Sequence, residues 1–487
     1  MSPNTAIIVA LVIPVFGALL IGLARRSPNV REGITLITAA TLFLLVLSIT
    51  PSVLAGARPS IKIFELLPGL AIAFEVEPLG MLFALIASFL WIPNSIYSIG
   101  YMRAHHESNQ TRYYICFALA LASVIGLAFS ANLVTMFLFY ETLTLSTYPL
   151  VTHSGTVEAK RAGRIYLGLL LGTSIGLQLL AIIGTYTIAG TTDFKPGGIL
   201  AGQAGPGVIA ILFALYMFGI GKAALMPFHR WLPAAMVAPT PVSAFIHAVA
   251  VVKGGVFAVL KVVVYVFGLD LMQSSHPGEW LMWVAAFTIL VASLIALTKD
   301  NLKARLAYST VSQLSYIVLG AALATSASVL GGGLHILTHA FGKITLFFCA
   351  GAIMVATHKG NVSDMRGIGR AMPLTMFAFL IGSLSVIGLP PFAGAWSKWY
   401  LAVGAMEANH AFFVAVLMIS SLLNIAYLMP VVVQAFFPGA NPTEFEDGMR
   451  EAPLACLIPL LLTATGCVII FIYPDPFHAL LQQVVGD

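Results

Sequence analysis

The sequence predicts an all-α polytopic membrane protein with about 14 transmembrane helices. Of its 487 residues, 59% are hydrophobic and only 9% are charged, and the mean hydropathy is +0.96. A soluble domain carries about 25% charged residues, so this composition leaves too little polar surface for a water-soluble globule. Apolar runs of about 20 residues, the length of a spanning helix, recur along the chain with basic loops between them.

Fourteen apolar segments have the length of a membrane span. They lie near 5–23, 34–53, 78–99, 113–130, 132–151, 164–189, 207–236, 242–267, 279–297, 305–324, 329–356, 371–406, 411–436 and 453–473. The seventh and twelfth are too long for a straight span and contain Pro227 and Pro390–Pro391. Because proline removes a backbone donor and clashes with the preceding turn, we expect both to be broken helices.

Loop charges predict the orientation of these spans. With the N-terminus outside, the outer loops hold three basic residues and the inner loops hold sixteen. The outer three are Arg58, Lys62 and Lys195; the inner set is Arg25, Arg26, Arg31, Arg103, Arg112, Lys160, Arg161, Arg164, Arg230, Lys299, Lys303, Arg305, Lys359, Arg366, Arg370 and Arg450. This positive-inside bias predicts a bacterial or archaeal cytoplasmic (inner) membrane with both termini outside. We expect an external loop with short strands at 53–77 and an acidic internal loop at 437–452.

The flanks of the first apolar segment and the remaining composition exclude other classes. Arg25 and Arg26 follow that segment rather than precede it, which argues against a cleavable signal. The formal charge of +5 is spread among loops, which excludes nucleic-acid binding. Four cysteines in apolar stretches lack CxxC spacing, so we expect no disulfide framework and no iron–sulfur cluster. The sequence also indicates no metal, no other cofactor and no catalytic chemistry of the chain's own.

Six charged residues remain inside the apolar segments. They are Glu141, Lys222, Lys253, Lys261, Lys343 and Lys398. A charge at the bilayer centre costs a few kcal/mol or more unless it is paired or hydrated. Six such residues are hard to explain by packing alone, so we interpret them as a path for protons or cations.

The two broken segments and the fifth helix provide the first part of this path. Thr144 and Tyr148 follow Glu141 at i+3 and i+7, so one face carries a carboxylate, a hydroxyl and a phenol. The alternative for Thr144 is a bond back to its own helix. Lys222 lies five residues before Pro227, where a broken helix frees carbonyls that can hold water or an ion. Lys398 follows the second break, so each break has a lysine nearby.

Helices eight and eleven carry further candidates. On an ideal helix His247, Lys253 and Lys261 share one broad face, although Lys261 could instead snorkel to the outer end. His335, His339 and Lys343 lie at i, i+4 and i+8. HxxxH spacing can bind zinc, but no third soft ligand is nearby and the lysine opposes a dication. Histidine titrates near neutral pH, so these three residues predict a proton path.

Read in order, these segments resemble the antiporter-like subunits of respiratory complex I and of Mrp multisubunit cation/proton antiporters. The resemblance runs from YSIGYMR (97–103) through GKAALMPFHRWLPAAMVAPTPVSAFIHA (221–248), LKARLAYSTVSQLSYI (302–317) and HILTHAFGKITLFF (335–348) to GLPPFAGAWSK (388–398). It implies two inverted five-helix repeats in one membrane domain. Helices 1–3 would occupy 1–112, the repeats 113–267 and 279–436, and the last helix and tail 453–487.

The resemblance also implies roles for individual residues. Glu141 and Lys222 match the coupled glutamate and lysine of helices five and seven, and Lys253 matches a central lysine. The histidines at 335 and 339 match positions on helix eleven, and Lys398 matches the lysine that passes protons outward. Lys398 and the GGVF after Lys253 look most like the D-type subunit of an Mrp antiporter.

The predicted function is therefore proton conduction in a multisubunit monovalent cation (Na+)/proton antiporter, alongside other membrane subunits. Two alternatives stay open. The chain could be the proton-pumping subunit of a redox-driven complex, either an NADH-quinone oxidoreductase or a membrane-bound hydrogenase. It could also be a scaffold that does not conduct ions.

Overall fold

The computed structural model describes residues 2–67, 69–437, 445 and 448–486, without the side chains of residues 66, 67 and 247. The helices are α1 (Pro3–Leu23), α2 (Pro28–Leu54), α3 (Pro78–Ala104), α4 (Gln110–Ala128), α5 (Leu133–Val151), α6 (Val157–Thr173), α7 (Leu179–Ala189), α8 (Pro206–Gly219), α9 (Trp231–Ala234), α10 (Thr240–Ala248), α11 (Val251–Val262), α12 (Leu269–Ser275), α13 (Glu279–Thr298), α14 (Leu302–Leu323), α15 (Ser326–Thr357), α16 (Ile368–Ala371), α17 (Pro373–Ile387), α18 (Gly394–Glu407), α19 (Ala411–Phe436), α20 (Leu454–Ile472) and α21 (Asp475–Val485). An antiparallel hairpin joins β1 (Ser60–Leu67) to β2 (Leu70–Glu75).

The fourteen predicted spans correspond to helices of the structure. Within the described ranges, eleven helices are long and apolar enough to cross a membrane. Two of these combine segments, because a π-turn over Ser174–Gln178 joins α6 to α7 and two irregular residues join α10 to α11. The 19-residue α5 coincides with the predicted segment 132–151, and the shorter apolar helices α8 and α17 each continue past a break. The predicted all-α membrane fold is therefore confirmed.

Both predicted breaks are present. The first separates α8 from α9 and contains short 3-10 turns over Gly221–Ala223 and Phe228–Arg230, with Pro227 between them. The second separates α17 from α18, and both prolines at 390–391 lie in it. Gly388 closes α17 with a φ of +90°, a conformation that residues with a Cβ rarely adopt. A Cβ on Gly394 would lie 1.8 Å from the Ser385 carbonyl oxygen, so this glycine is required for close packing.

The two ends of the bundle differ. The hairpin end carries β1 and β2, where Asn132 Nδ2 donates to the Ala71 carbonyl at 2.8 Å. The C-terminal helix α21 lies at the same end, because Gln483 Nε2 donates to the Leu54 carbonyl at 3.0 Å. At the opposite end Arg103 forms an ion pair with Glu32. The strands predicted within 53–77 are confirmed, whereas most of the acidic loop predicted at 437–452 lies outside the described residues.

The inverted repeats are visible in a backbone motif that occurs twice. Asn132 caps α5 and pairs with Asp193 beyond α7, just as Asn301 caps α14 and pairs with Asn361 beyond α15. The amide of the residue after each asparagine donates across the pair at 2.9 Å, from Leu133 to Thr192 and from Leu302 to Gly360. The first motif lies at the hairpin end. The second lies at the opposite end, where Lys303 Nζ donates to the Ala238 carbonyl at 2.6 Å.

The helices differ in how far the bundle encloses them, and the enclosed helices carry most of the predicted ionisable site residues. The span formed by α10 and α11 is completely enclosed, and α14 is nearly so. α1, α2, α6 with α7, and α19 expose most of their surface on the outside of the bundle. The enclosed helices α11, α14 and α15 carry Lys253, Lys261, His335, His339 and Lys343, all of them buried. These ionisable side chains therefore lie in the interior of the bundle rather than on its lipid-facing surface.

Candidate functional site

Lys222 lies within the first break, in the short turn that follows α8, and is fully buried. Its Nζ donates to the Tyr140 carbonyl of α5 at 2.7 Å and lies 3.1 Å from the centre of the Tyr140 ring. The Lys222 amide also donates to the Tyr140 hydroxyl at 3.0 Å. The ammonium is thus held by a neutral oxygen and an aromatic face, both of which stabilise a cation.

Glu141 follows Tyr140 on α5, and neither carboxylate oxygen has a hydrogen-bond partner in the described part of the chain. Both oxygens are buried. None of the ion pairs of the described residues joins Glu141 to Lys222. Lys222 therefore contacts Tyr140, the residue next to Glu141, and forms neither a hydrogen bond nor an ion pair with Glu141 itself in this conformation. A buried carboxylate without donors is strongly destabilised and needs water or a moving cation.

The other predicted groups on α5 behave differently. Thr144 Oγ1 donates to the Tyr140 carbonyl at 3.3 Å, so it bonds back to its own helix, as the alternative interpretation had it. Tyr148 is half-buried and packs beside Gly163 of α6. Thr147, which the sequence reasoning missed, shares a 2.6 Å bond with the Tyr166 hydroxyl.

Lys253 and His339 connect the two repeats. The Lys253 Nζ is hydrogen-bonded to His339 Nδ1, and both side chains are buried. Gly255 lets α11 approach the first break, since a Cβ there would lie 2.3 Å from the Ala223 nitrogen. Lys253 therefore lies on a helix that packs against the turn holding Lys222. The irregular residues between α10 and α11 alter the ideal spacing from position 247, and the side chain of His247 is outside the described residues.

His335 lies one turn before His339 on α15. Its ring lies 5.7 Å from the His339 ring, and its Nδ1 shares a 2.8 Å bond with Ser397 Oγ of α18. The ring stacks on Tyr316 of α14 at 5.4 Å. Its Nε2 has no hydrogen-bond partner among the described residues. That nitrogen is therefore available to exchange a proton with water.

Lys398 ends the row on α18, one residue after Ser397. Its Nζ donates to the Ile387 carbonyl, freed at the end of α17, at 2.8 Å. A second bond of 3.0 Å reaches Ser421 Oγ of α19, and the same Nζ lies 4.9 Å from the Tyr316 ring centre. Tyr316 thus contacts both His335 and Lys398.

Lys343 on α15 bonds to residues of α14. Its Nζ donates to Ser309 Oγ at 2.5 Å, and that hydroxyl shares a 2.6 Å bond with the Tyr427 hydroxyl. Tyr427 in turn donates to Asn424. These bonds direct the Lys343 side chain toward α14.

Lys261 also lies apart from the row. Its Nζ is 3.3 Å from Glu77 Oε1 and donates to the Ser130 carbonyl at 2.7 Å near the hairpin end. It is fully buried, so the snorkelling interpretation does not describe it. Sequence reasoning missed Glu77, although a capping side chain directly before Pro78 is a helix-start signal.

The row Lys222, Lys253, His339, His335 and Lys398 places exchangeable protons between the two breaks. The structure shows direct bonds within parts of the row and aromatic or apolar gaps elsewhere. The buried side-chain amides of Gln178 and Gln313 have no hydrogen-bond partner among the described residues, and the same holds for both carboxylate oxygens of Glu141. Groups of this kind are satisfied by ordered water. The arrangement therefore suits transfer of protons through side chains and intervening water.

Fold and site together define an inverted-repeat membrane protein of the antiporter-like type. The chain belongs to the family described as NADH:quinone oxidoreductase/Mrp antiporter, TM, which matches residues 130–424. That range includes both breaks and every residue of the row.

Two sequence relatives are subunits of quinone oxidoreductases. NADH-quinone oxidoreductase subunit N of Desulforudis audaxviator (strain MP104C) is 33% identical over 426 residues, covering 84% of this chain and 83% of the relative. NAD(P)H-quinone oxidoreductase chain 5 of Synechocystis sp. (strain ATCC 27184 / PCC 6803 / Kazusa) is also 33% identical, over 358 residues. That alignment covers 70% of this chain but 51% of chain 5, so the present chain spans about half of that relative.

Two solved structures share the fold over nearly the whole chain. A chain of the Mrp complex from Dietzia sp. DQ12-45-1b superposes with a TM-score of 0.87 at 22% identity, covering 100% of this chain and 97% of that one. A chain of the membrane-bound sulfane sulfur reductase, an archaeal respiratory membrane complex, also gives a TM-score of 0.87, at 25% identity. That match covers 99% of this chain and 98% of the other.

Proposed function

We propose that this chain conducts protons as one subunit of a multisubunit monovalent cation/proton antiporter, with Na+ as the exchanged cation. The observation that carries the proposal is the row from Lys222 to Lys398, which lies between the breaks of two inverted repeats. All of its members are buried except Lys398, which is half-buried. Charged groups inside a membrane bundle are retained where they serve transport. Broken helices at equivalent places in inverted repeats are typical of such sites.

In the proposed mechanism, Glu141 controls the charge on Lys222. In this conformation the ammonium bonds to the Tyr140 carbonyl and the carboxylate oxygens have no partner among the described residues. Movement of Glu141 toward Lys222 would stabilise the ammonium, and movement toward a neighbouring subunit would release its proton. Two unit charges about 4 Å apart interact by roughly 4 kcal/mol at an effective dielectric of 20. That energy corresponds to a change of about a thousandfold in proton occupancy.

The released proton would pass through Lys253, His339 and His335 to Lys398. Neutral histidine both donates and accepts, so each ring can take a proton on one nitrogen and release one from the other. Ser397 and Tyr316 would hold His335 in place for this step. The groups titrate together, so the row acts as one coupled set.

The proposal also covers orientation and partners. The basic loops lie at the end opposite the hairpin, so under the positive-inside rule the hairpin end would face the outside of a bacterial or archaeal cytoplasmic membrane. Residues 113–267 and 279–436 would form the two conducting repeats, and the flanking segments 1–112 and 453–487 would support them. Other membrane subunits would supply the groups that draw Glu141 away from Lys222.

A second candidate is a proton-pumping subunit of a redox-driven complex. The 33% identity to subunit N and the 25% identity to the sulfane sulfur reductase chain favour it. In that role the same row would carry protons, and electron transfer in partner subunits would drive the movement of Glu141.

The test uses everted membrane vesicles that contain the chain with its native partners. An unrelated pump acidifies the interior, sodium is added, and a fluorescent dye follows the proton gradient. Sodium-dependent collapse of the gradient that is lost in Glu141→Gln and Lys222→Met supports antiport. Acidification driven by NADH or another electron donor, with no response to sodium, identifies the second candidate.

The matched control is Lys160→Met, because Lys160 is an exposed lysine on α6 at the opposite end from the hairpin. The control should transport normally. If Lys222→Met also transports normally in a fully assembled complex, proton conduction through this row is wrong and the scaffold interpretation takes its place.

A further inference from the structure

A cavity of about 480 Å³ lies at the hairpin end, away from the row described above. Its wall includes the acidic residues Glu75, Glu77 and Asp270 and the basic residues Arg58 and Lys261. Half-buried Glu75 has a raised pKa because burial disfavours its charged form. A space of this size lined by charged groups holds many water molecules.

The inner wall of this cavity is a buried ion pair. Lys261 Nζ lies 3.3 Å from Glu77 Oε1, and the two side chains are 0% and 7% exposed. The other Glu77 oxygen accepts from the Tyr265 hydroxyl at 3.0 Å. Both oxygens also cap α3, accepting from the amides of Leu79 and Gly80 at 2.7 Å. Capping accounts for the carboxylate. It does not account for the buried lysine, since apolar side chains in place of the whole ion pair would often be as stable.

Lys261 is on the same helix as Lys253 of the row. Eight residues separate them, which corresponds to about 12 Å along the helix axis. Phe257 lies between them. Its ring centre is 5.3 Å from Lys261 Nζ and 5.0 Å from the centre of the Phe83 ring, which is tilted relative to it. The rings of Phe257 and Phe83 form an apolar constriction, which would exclude water between Lys253 and Lys261 in this conformation. A π-turn over Val263–Phe267 follows Lys261, and such turns are frequent where helices change shape at functional sites.

We propose that Lys261, Glu77 and this cavity form a second proton outlet, which connects Lys253 to water at the hairpin end when Phe257 moves. The proposal rests on the proposed function, because it adds a branch to the same row. In the step envisaged, the Lys261 ammonium releases a proton to cavity water and regains one from Lys253 through water. Glu77 stays ionised and stabilises the ammonium between transfers.

The experiment places a single new cysteine at the cavity. Gln273→Cys lies on the cavity wall, and Ser274→Cys is its matched control, one residue away on α12 and exposed. The four native cysteines are all buried. The complete complex in right-side-out vesicles is treated with a membrane-impermeant cationic methanethiosulfonate, and sodium-dependent proton movement is then recorded.

Attachment of the cation at position 273 should lower the initial rate by roughly tenfold, because a fixed positive charge in the cavity that Lys261 lines opposes the Lys261 ammonium. Attachment at position 274 should leave the rate unchanged. Equal rates after labelling at the two positions, or no labelling at 273, would overturn the proposal.

Substitution of the lysine gives an independent readout. Lys261→Met should remove the sensitivity of Gln273→Cys to the reagent, and Lys261→Arg should keep most of it. A branch that fails leaves the main row intact, so Lys222→Met would still abolish transport. If neither Lys261→Met nor Lys222→Met changed the rate of transport, the proposed function itself would be contradicted.

Discussion

The two helix breaks hold their lysines in different surroundings. At the first break Lys222 faces the Tyr140 ring and carbonyl, with the carboxylate of Glu141 one residue away. At the second break Lys398 bonds to the Ile387 carbonyl and the Ser421 hydroxyl. Five ion pairs are found within the described residues, and Lys398 takes part in none of them.

This difference suggests a division of labour between the repeats. A lysine beside a carboxylate can be switched by moving the carboxylate, because their interaction changes with distance. A lysine held by neutral acceptors has no such switch and responds only to protons arriving from its neighbours. In the proposed function the first break therefore controls transport and the second break follows it.

Charge reversal at the two lysines should give the largest difference. Lys222→Glu would place a second carboxylate beside Glu141, and two close like charges cannot both stay ionised, so we expect transport to fall to background. Lys398→Glu would keep an ionisable group next to Ser421 but lose the bond to the Ile387 carbonyl. Loss of one such bond predicts a decrease of about tenfold. Sodium-dependent gradient collapse in everted vesicles measures both.

The control for this pair is the double variant Glu141→Lys with Lys222→Glu, which restores one charge of each sign at the first break. Partial recovery relative to Lys222→Glu alone is expected. Equal transport in the two single lysine variants would contradict the division of labour between the breaks.

Hydroxyl deletions at the second break should have an intermediate effect. Ser397 bonds His335 Nδ1 at 2.8 Å, whereas Ser421 bonds Lys398 at 3.0 Å. Ser397→Ala should lower the transport rate several-fold, about 1 kcal/mol in the barrier, because the His335 ring loses the bond that fixes its orientation. Ser421→Ala should lower it less, since the Ile387 carbonyl still holds the ammonium. The reverse order would show that Lys398, rather than His335, limits transfer at this break.

Glycine substitutions should test how tightly each break is packed. A Cβ at Gly394 would meet the Ser385 carbonyl oxygen at 1.8 Å, and one at Gly255 would meet the Ala223 nitrogen at 2.3 Å. Both neighbours are backbone atoms that cannot rotate away, so each alanine should destabilise the protein by about 1–3 kcal/mol. Gly168→Ala is the control, because nothing lies within 4 Å of a Cβ there. It should stabilise α6 by up to about 1 kcal/mol, and thermal unfolding of the purified complex compares the three.

Sequence reasoning predicted the fold, which is confirmed, and named the five residues of the row, because both depend on local patterns. Apolar run length, loop charge and proline position predicted fourteen spans and two breaks. Each predicted span coincides with a helix or a broken helix, eleven of the helices among the described residues are long and apolar enough to cross a membrane, and both breaks are present. Charged residues inside apolar segments gave Lys222, Lys253 and Lys398, and the HxxxH spacing gave His335 and His339.

What sequence reasoning missed depends on contacts between distant segments. Nothing along the chain indicates that the Lys222 side chain reaches the Tyr140 carbonyl, which lies on another helix of the repeat. An ideal helix also placed Lys253 and Lys261 on one face, whereas they bond to different helices, Lys253 to His339 and Lys261 to Glu77. The inverted pairing of Asn132 and Asn301 was likewise invisible, since no local pattern distinguishes a capping asparagine that also joins two loops.

The duplicated asparagine motif offers the smallest expected effect and compares the repeats directly. In the second repeat Ser363 donates its hydroxyl to Asp300 at 2.7 Å and its amide at 3.0 Å, which lowers the pKa of that carboxyl. The corresponding positions of the first repeat carry Ala131 and Lys195, so that copy has no such pair.

Because the folded-state pKa of Asp300 is below its unfolded value, the stabilisation is present above the unfolded pKa and is lost as pH falls through the folded one. Ser363→Ala should therefore loosen the second motif at pH 7 by about half a kcal/mol, a small effect because the carboxyl is exposed and screened. Hydrogen exchange of the amides at 300–302 and 360–363 measures it, and the difference from the unsubstituted protein should shrink as the carboxyl is protonated. Lys195→Ala, the equivalent change in the first repeat, should show no such dependence on pH; a similar dependence there would mean that the carboxyl of Asp300 is not its source.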